Sequence, residues 1–174
     1  KHHVSKIGIG ENGDVFLNKE CIEILRYIKL KLPRVSVECY TNFQHFTKDK
    51  AQTILCERLI TDFHCNVDAS SKENFFIAKG LDLQTVTKNI LDFLELRKKL
   101  KNESPLHLHV LTLHSYINAV YHYLGVYPAK LKYHKVDPLR IKDDFQSVKK
   151  QWQKFLDPEK DKISKIIRLF LWAE

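Results

Sequence analysis

The chain has no methionine among its 174 residues and starts at a lysine. Either it begins inside a longer protein or modified methionines have dropped out of it. On both readings it is expected to be a fragment of the functional protein. No apolar run approaches the roughly 18 residues needed to cross a bilayer, and no secretory signal is visible at the start, so no membrane partner is expected. Cysteine is scarce. Cys21, Cys39, Cys56 and Cys65 match neither zinc nor iron–sulfur spacing. Each sits among apolar neighbours, which predicts four buried free thiols and a reducing, cytoplasmic setting. There is no phosphate-loop lysine–serine pair, no arginine-rich stripe and no nucleic-acid motif. The formal charge of +8 favours anionic partners. The lysines are nevertheless scattered, at Lys29 and Lys31, Lys48 and Lys50, Lys98 and Lys99, and Lys149 and Lys150. A solvated surface is the better reading, and an RNA-modifying role rests on the charge alone.

What is present is an alternation of strand and helix. At this length the chain is one domain, spanning 1–174, with a hydrophobic fraction of 44%. Strands are expected at 4–9, 35–41, 60–68, 106–113 and 130–136, and helices at 19–32, 47–57, 83–101, 114–124 and 140–155. A sixth strand is expected within 163–172. The rhythm implies an α/β fold of parallel strands joined by right-handed crossovers. Helical stripes support it: Ile22, Leu25, Ile28 and Leu32 before Pro33; Val86, Ile90, Phe93, Leu94 and Arg97; Phe145, Val148, Trp152 and Phe155. Thr47 is expected to cap the second helix.

Alternation within the strands carries the functional signal, because successive side chains face opposite sides. Phe63, Cys65 and Val67 share one face of 60–68, and His64, Asn66 and Asp68 the other. Glu38, Tyr40 and Asn42 oppose Val37 and Cys39, and His107 and His109 oppose Leu106, Leu108 and Val110. Central parallel strands are usually apolar on both faces, and polar side chains there are costly unless something polar meets them. A curved sheet with a polar inner wall around a ligand satisfies both demands. The glycine-rich stretch Gly8-Ile9-Gly10-Glu11-Asn12-Gly13-Asp14 lies at the end of the first strand. Its glycines let backbone approach a ligand, and a carboxylate there can hold a cationic group. The Gly8, Gly10, Gly13 spacing matches a dinucleotide fingerprint, but Val15-Phe16-Leu17 intervene before the helix, where that motif opens its helix directly. His107 and His109 have a spacing some metal sites use, but lining of the cavity is the simpler reading. No Ser-His-Asp or Cys-His set stands out.

Several of these segments together resemble the radical S-adenosylmethionine enzymes. Gly8-Ile9-Gly10-Glu11, with Phe16-Leu17-Asn18 and a helix after it, resembles the family's G-G-E-P turn and L-L-N on the second strand. Cys39-Tyr40-Thr41-Asn42 is similar to its Y-T-N-G. Asn66-Val67-Asp68-Ala69-Ser70-Ser71-Lys72-Glu73 is similar to its S-I-D-G-x-x-x-E. Lys79-Gly80, followed by Val86, Asn89-Ile90 and Phe93-Leu94, resembles its V-x-x-N-I-x-x-F-L helix. The match runs from about residue 4 to about 113, and 114–174 stay unassigned.

The resemblance implies a partial (β/α)6 barrel, an open TIM-like barrel of parallel strands, here missing its N-terminal strand. It implies an enzyme in which a [4Fe–4S] cluster reduces S-adenosylmethionine to a 5′-deoxyadenosyl radical that abstracts hydrogen from a substrate. That substrate is unknown: a small molecule, a peptide or RNA. An electron donor such as a ferredoxin or flavodoxin is implied as well. Gly8, Gly10 and Glu11 would bind the methionine amino group, with Glu11 making the contact. Asn42, Asn66 and Asp68 would line the cavity and reach the ribose or the methionine carboxylate. The sequence departs from the pattern where Asn12-Gly13-Asp14 replaces the proline and where Phe43 and Ala69 replace glycines. The C-x-x-x-C-x-x-C cluster loop is missing, and the family pattern places it upstream of the matched region. A non-catalytic binding module with the same barrel is the alternative.

Overall fold

A computed structural model describes residues 4–11, 13–67, 69–111 and 145–166. Within them, β1 (Lys6–Ile9), β2 (Ser36–Thr41), β3 (Asp62–Asn66), β4 (Leu106–Leu111) and β5 (Lys162–Ile166) form one sheet. Its order is β1-β2-β3-β4-β5 and every neighbouring pair is parallel. The described helices are α1 (Cys21–Lys31), α2 (Lys48–Glu57), α3 (Lys72–Lys79), α4 (Leu83–Lys99) and α5 (Phe145–Trp152), and a 3₁₀ turn spans Val15–Leu17. The expected α/β class is therefore present. The all-parallel open sheet is compatible with a partial barrel.

The strand order never reverses. A doubly wound sheet reverses and carries helices on both faces, whereas crossovers of one hand that step one way keep them on one side. Burial agrees. Val37, Cys39, Phe63, Cys65, Leu106, Leu108 and Val110 are buried, in one core with Leu25, Ile54, Val86, Ile90 and Phe93 of the helices. The alternate residues Glu38, Tyr40, His64, Asn66, His107 and His109 are only half-buried. Five phenylalanines knit helices to sheet. Phe46 stacks on Phe16 at 4.5 Å and meets Phe43 edge-on at 5.1 Å, and Phe63 lies 4.7 Å from Phe93.

Several expectations need correction. Helix α3 falls where no helix was expected. Its Phe75 is buried beside an exposed Phe76, so no clean helical stripe announces it, although Glu73 and Lys79 suit the dipole at its two ends. Cys56 is exposed on α2, whereas Cys21, Cys39 and Cys65 are buried. The last described helix ends at Trp152, leaving Phe155 exposed instead of in the core. Thr47 occupies the N-cap of α2 but its hydroxyl makes no capping bond. The strand expected at 130–136 and the helix at 114–124 lie outside the described residues, as does most of 163–172 beyond β5.

A buried ion pair ties β5 to the rest. Arg97 near the end of α4 donates to both oxygens of Asp161, at 2.5 and 2.6 Å, and to the Ser104 carbonyl at 3.1 Å. Asp161 also accepts the Leu106 and Asp157 amides, at 2.8 and 2.9 Å. Burial pushes the Asp161 carboxyl up, but these hydrogen bonds outweigh it and hold the group below its ordinary range. The unfolded chain therefore takes up this proton at higher pH than the folded one. The stabilisation is complete above the ordinary aspartate value of about 4 and is lost as pH falls through the lowered one.

Asp161→Ala strands a buried guanidinium. Urea denaturation at neutral pH is expected to show a loss of about 3–5 kcal/mol, much of it recovered in the Arg97→Met, Asp161→Leu pair. A loss under about 1 kcal/mol, typical of exposed pairs, would contradict this role.

Candidate functional site

Ligand sites of parallel α/β sheets gather at the C-terminal ends of the strands, and one cleft of about 610 Å³ lies there. Its walls come from three successive strand ends. Gly10, Glu11, Gly13 and Asp14 follow β1. Tyr40, Thr41 and Asn42 end β2, and His64 and Asn66 belong to β3. Lys79, at the end of α3, and Leu81 complete the wall.

Gly10 fixes the geometry of the first wall. Its φ is +84°, and a Cβ at this position would lie 2.1 Å from the Tyr40 carbonyl oxygen. The loop after β1 thus presses against the backbone of β2 at a distance no side chain permits. Gly8 acts differently. A Cβ there would come 2.9 Å from Glu11 Oε1, so the missing methyl makes room for that carboxylate. The Glu11 side chain has no hydrogen bond or ion pair among the described residues.

Asp14 is held firmly. It caps the 3₁₀ turn by accepting the Phe16 amide at 3.0 Å, and it accepts the Thr41 hydroxyl at 3.2 Å. Asn42 accepts the Gln44 amide at 2.8 Å, which fixes its carbonyl oxygen in an Asx turn. The amide of Asn66 has no hydrogen bond among the described residues. Phe43, next to Asn42, has φ +59°. It thus takes the left-handed conformation at the position where the resembled family has glycine. Its ring is fully buried among Phe46 and Phe93. Its carbonyl accepts from the buried Asn89 amide at 2.8 Å, so α4 holds the loop behind the cleft.

Of the residues singled out from the sequence, Gly10, Glu11, Asn42 and Asn66 meet in this cleft. Gly8 stands behind Glu11 and does not line it. Asp68 lies outside the described residues. The cleft also takes in Asp14, Tyr40, Thr41, His64, Lys79 and Leu81, which lie outside the set the resemblance implies. Tyr40 and His64 were legible, since they share the polar strand faces with Asn42 and Asn66. Asp14 and Lys79 come from a turn and from the unexpected helix, where no periodicity points at a ligand.

The described lining carries two carboxylates against one lysine, and so one net negative charge. Burial, then the charges of Glu38 and Glu11, pushes the Tyr40 phenol up and keeps it neutral. Burial, then His107, pushes the His64 imidazole below its ordinary range. The arrangement suits a polar ligand bearing an ammonium and hydroxyl or amide groups, and its volume is that of a usual small-molecule site.

No helix among the described residues is long and apolar enough to cross a membrane. No protein-family model and no curated protein matches the sequence.

The two glycines should separate in a mutational test. Gly10→Ala faces a backbone clash and a left-handed φ, and is expected to cost more than about 2 kcal/mol in thermal or urea unfolding. Gly8→Ala meets only a side-chain end and is expected to stay within about 1 kcal/mol while displacing the Glu11 carboxylate. Equal costs would contradict the two roles.

Proposed function

We propose that this cleft binds S-adenosylmethionine and that the chain is the barrel part of a radical S-adenosylmethionine enzyme. The observation that carries the reading is the meeting of Gly10, Glu11, Asn42 and Asn66 at three adjacent strand ends. These are residues that the family resemblance assigns to the cofactor. At neutral pH S-adenosylmethionine has a sulfonium, an ammonium and a carboxylate, hence one net positive charge, opposite in sign to the described lining. Glu11 would accept from the ammonium, and the amides of Asn42 and Asn66 would serve the ribose hydroxyls or the carboxylate.

The cluster fits the chain's own cysteines poorly. Cluster ligands are thiolates, and burial pushes the Cys21 and Cys39 thiols up. Cys65 is buried in β3, and Cys56 is exposed on α2. The ligands would therefore come from outside this chain, in the segment that the resemblance places before β1. When bound, the cluster would supply the electron that cleaves S-adenosylmethionine, with a ferredoxin or flavodoxin as its donor. This chain's residues hold and orient the nucleotide. The substrate class stays open among small molecule, peptide and RNA.

Calorimetry with S-adenosylmethionine is expected to give a single site. Glu11→Gln removes one charged hydrogen bond, which lowers affinity by roughly tenfold to a hundredfold. No binding to the wild-type chain, or an unchanged affinity for the variant, would overturn the assignment. Anaerobic iron and sulfide reconstitution of the full-length protein then separates enzyme from binding module. The enzyme gives a [4Fe–4S] spectrum and 5′-deoxyadenosine. Binding without either would leave the module.

A further inference from the structure

Helix α5 turns an apolar side inward and a basic side outward. Val148 and Trp152, four residues apart and so on one face, are buried. Gln146, Lys149, Lys150, Gln153 and Lys154 are exposed and line an open recess of about 510 Å³. Its lining is three lysines and two amides, with no carboxylate. Phe155 follows directly. Its ring is 44% exposed, and Lys154 Nζ lies 4.8 Å from the ring centroid, so the aromatic continues the basic surface.

Among the described residues, these three lysines have no ion pair and no hydrogen bond. Other cations of the fold are matched. Lys6 meets Glu38, Arg26 meets Glu57, Lys88 meets Asp92 and Lys160 meets Glu103. Of the carboxylates that follow α5, Asp161 binds Arg97, Asp157 lies 3.9 Å from Lys160, and Glu159 does not line the recess. Lys149 and Lys150 suit the negative end of the helix dipole. That favours a cation there but leaves its N–H donors unused. The sequence shows Lys149-Lys150 as one lysine pair among several. Folding sets it apart, because it adds Lys154, two glutamines and a phenylalanine to the same surface.

We propose that the outer side of α5 is a binding surface for a single-stranded nucleic acid. Lys149, Lys150 and Lys154 contact backbone phosphates, the Gln146 and Gln153 amides donate to phosphate or sugar oxygens, and Phe155 stacks on a base. The aromatic selects a single strand, whose bases are free to stack on it, over a duplex. An anionic membrane is the poorer fit. An interfacial helix buries an apolar face in lipid, and the apolar face of α5 is already taken by the core through Val148 and Trp152. The inference stands on α5 and Phe155 and uses neither the strand-end cleft nor its ligand.

The chain's charge of +8 sets the control the test needs. A diffuse positive charge attracts any polyanion and does not depend on which lysines are removed. A built surface depends on three of them.

The measurement is fluorescence anisotropy of a short labelled oligouridylate, titrated with the chain at about 50–200 mM salt. A single strand held at three phosphates gives log affinity a slope of about −2 against log salt. Lys149→Gln, Lys150→Gln and Lys154→Gln combined are expected to lower affinity by about tenfold or more at the lowest salt and to flatten the slope. The same loss of charge through Lys19→Gln, Lys29→Gln and Lys31→Gln, on and beside α1, is expected to leave affinity within about twofold. Phe155→Ala is expected to cost roughly fivefold to a hundredfold while the slope is kept. An unchanged urea midpoint shows that each variant is folded. No binding at the lowest salt, an equal loss in the two triple variants, or no effect of Phe155→Ala overturns the surface. So does binding to phosphatidylserine vesicles with none to the oligouridylate. Oligouridylate binding without S-adenosylmethionine binding sinks the cofactor assignment and leaves this surface standing.

Discussion

One constraint organises this molecule. Among the described residues, five parallel strands follow one another in sequence order, and the described helices pack against one face of the sheet. Each strand then has an apolar back that builds the core and a front that is free to be polar. That is why Val37, Cys39, Phe63 and Cys65 are buried while Glu38, Tyr40, His64 and Asn66, one residue away, are not. In a sheet covered on both faces the same polar residues would cost several kcal/mol each unless paired. The polar front and the strand-end cleft both go with this arrangement of the described elements.

The cleft is built on backbone contacts more than on side chains. Gly10 lets the loop after β1 rest against the Tyr40 carbonyl, which brings Glu11 and Asp14 to the end of β2. Phe43 shows how the fold tolerates strain beside the site. A left-handed residue with a Cβ costs about 1–2 kcal/mol. Burying a phenylalanine ring returns about 1.5–3 kcal/mol, and the Asn89 bond to the Phe43 carbonyl adds to that. The ring's burial wins, so glycine is not required where the resembled family has it. Asn89 meanwhile explains a polar residue in the apolar stripe of α4, since it satisfies the carbonyls of the loop that presents Asn42.

Strand periodicity made much of this readable in advance. The alternation of Phe63, Cys65 and Val67 with His64 and Asn66 fixes both the apolar and the polar face, and the parallel order follows from the strand–helix rhythm. Four of the residues singled out for a ligand converge because strand ends are where such a sheet gathers side chains. What could not be read depends on tertiary placement. Helix α3 has adjacent apolar residues and no stripe, so neither it nor Lys79 was foreseen. Asp14 reaches the cleft only because its carboxylate caps a 3₁₀ turn. The Arg97–Asp161 pair joins residues 64 positions apart, and no local pattern announces it. Cys56 follows the apolar Ile54-Leu55 but precedes Glu57-Arg58 and falls on the solvent side of α2, which shows the limit of reading burial from composition alone.

The most direct test of the central claim is an amide NMR titration of the ¹⁵N-labelled chain with S-adenosylmethionine. Binding at the strand ends requires shifts concentrated on the backbone of Gly10 and Glu11 and on the side-chain amides of Asn42 and Asn66, with little change on the helix-covered side. Shifts centred elsewhere, or no shifts at saturating ligand, would contradict the claim that the strand-end cleft holds a sulfonium nucleotide.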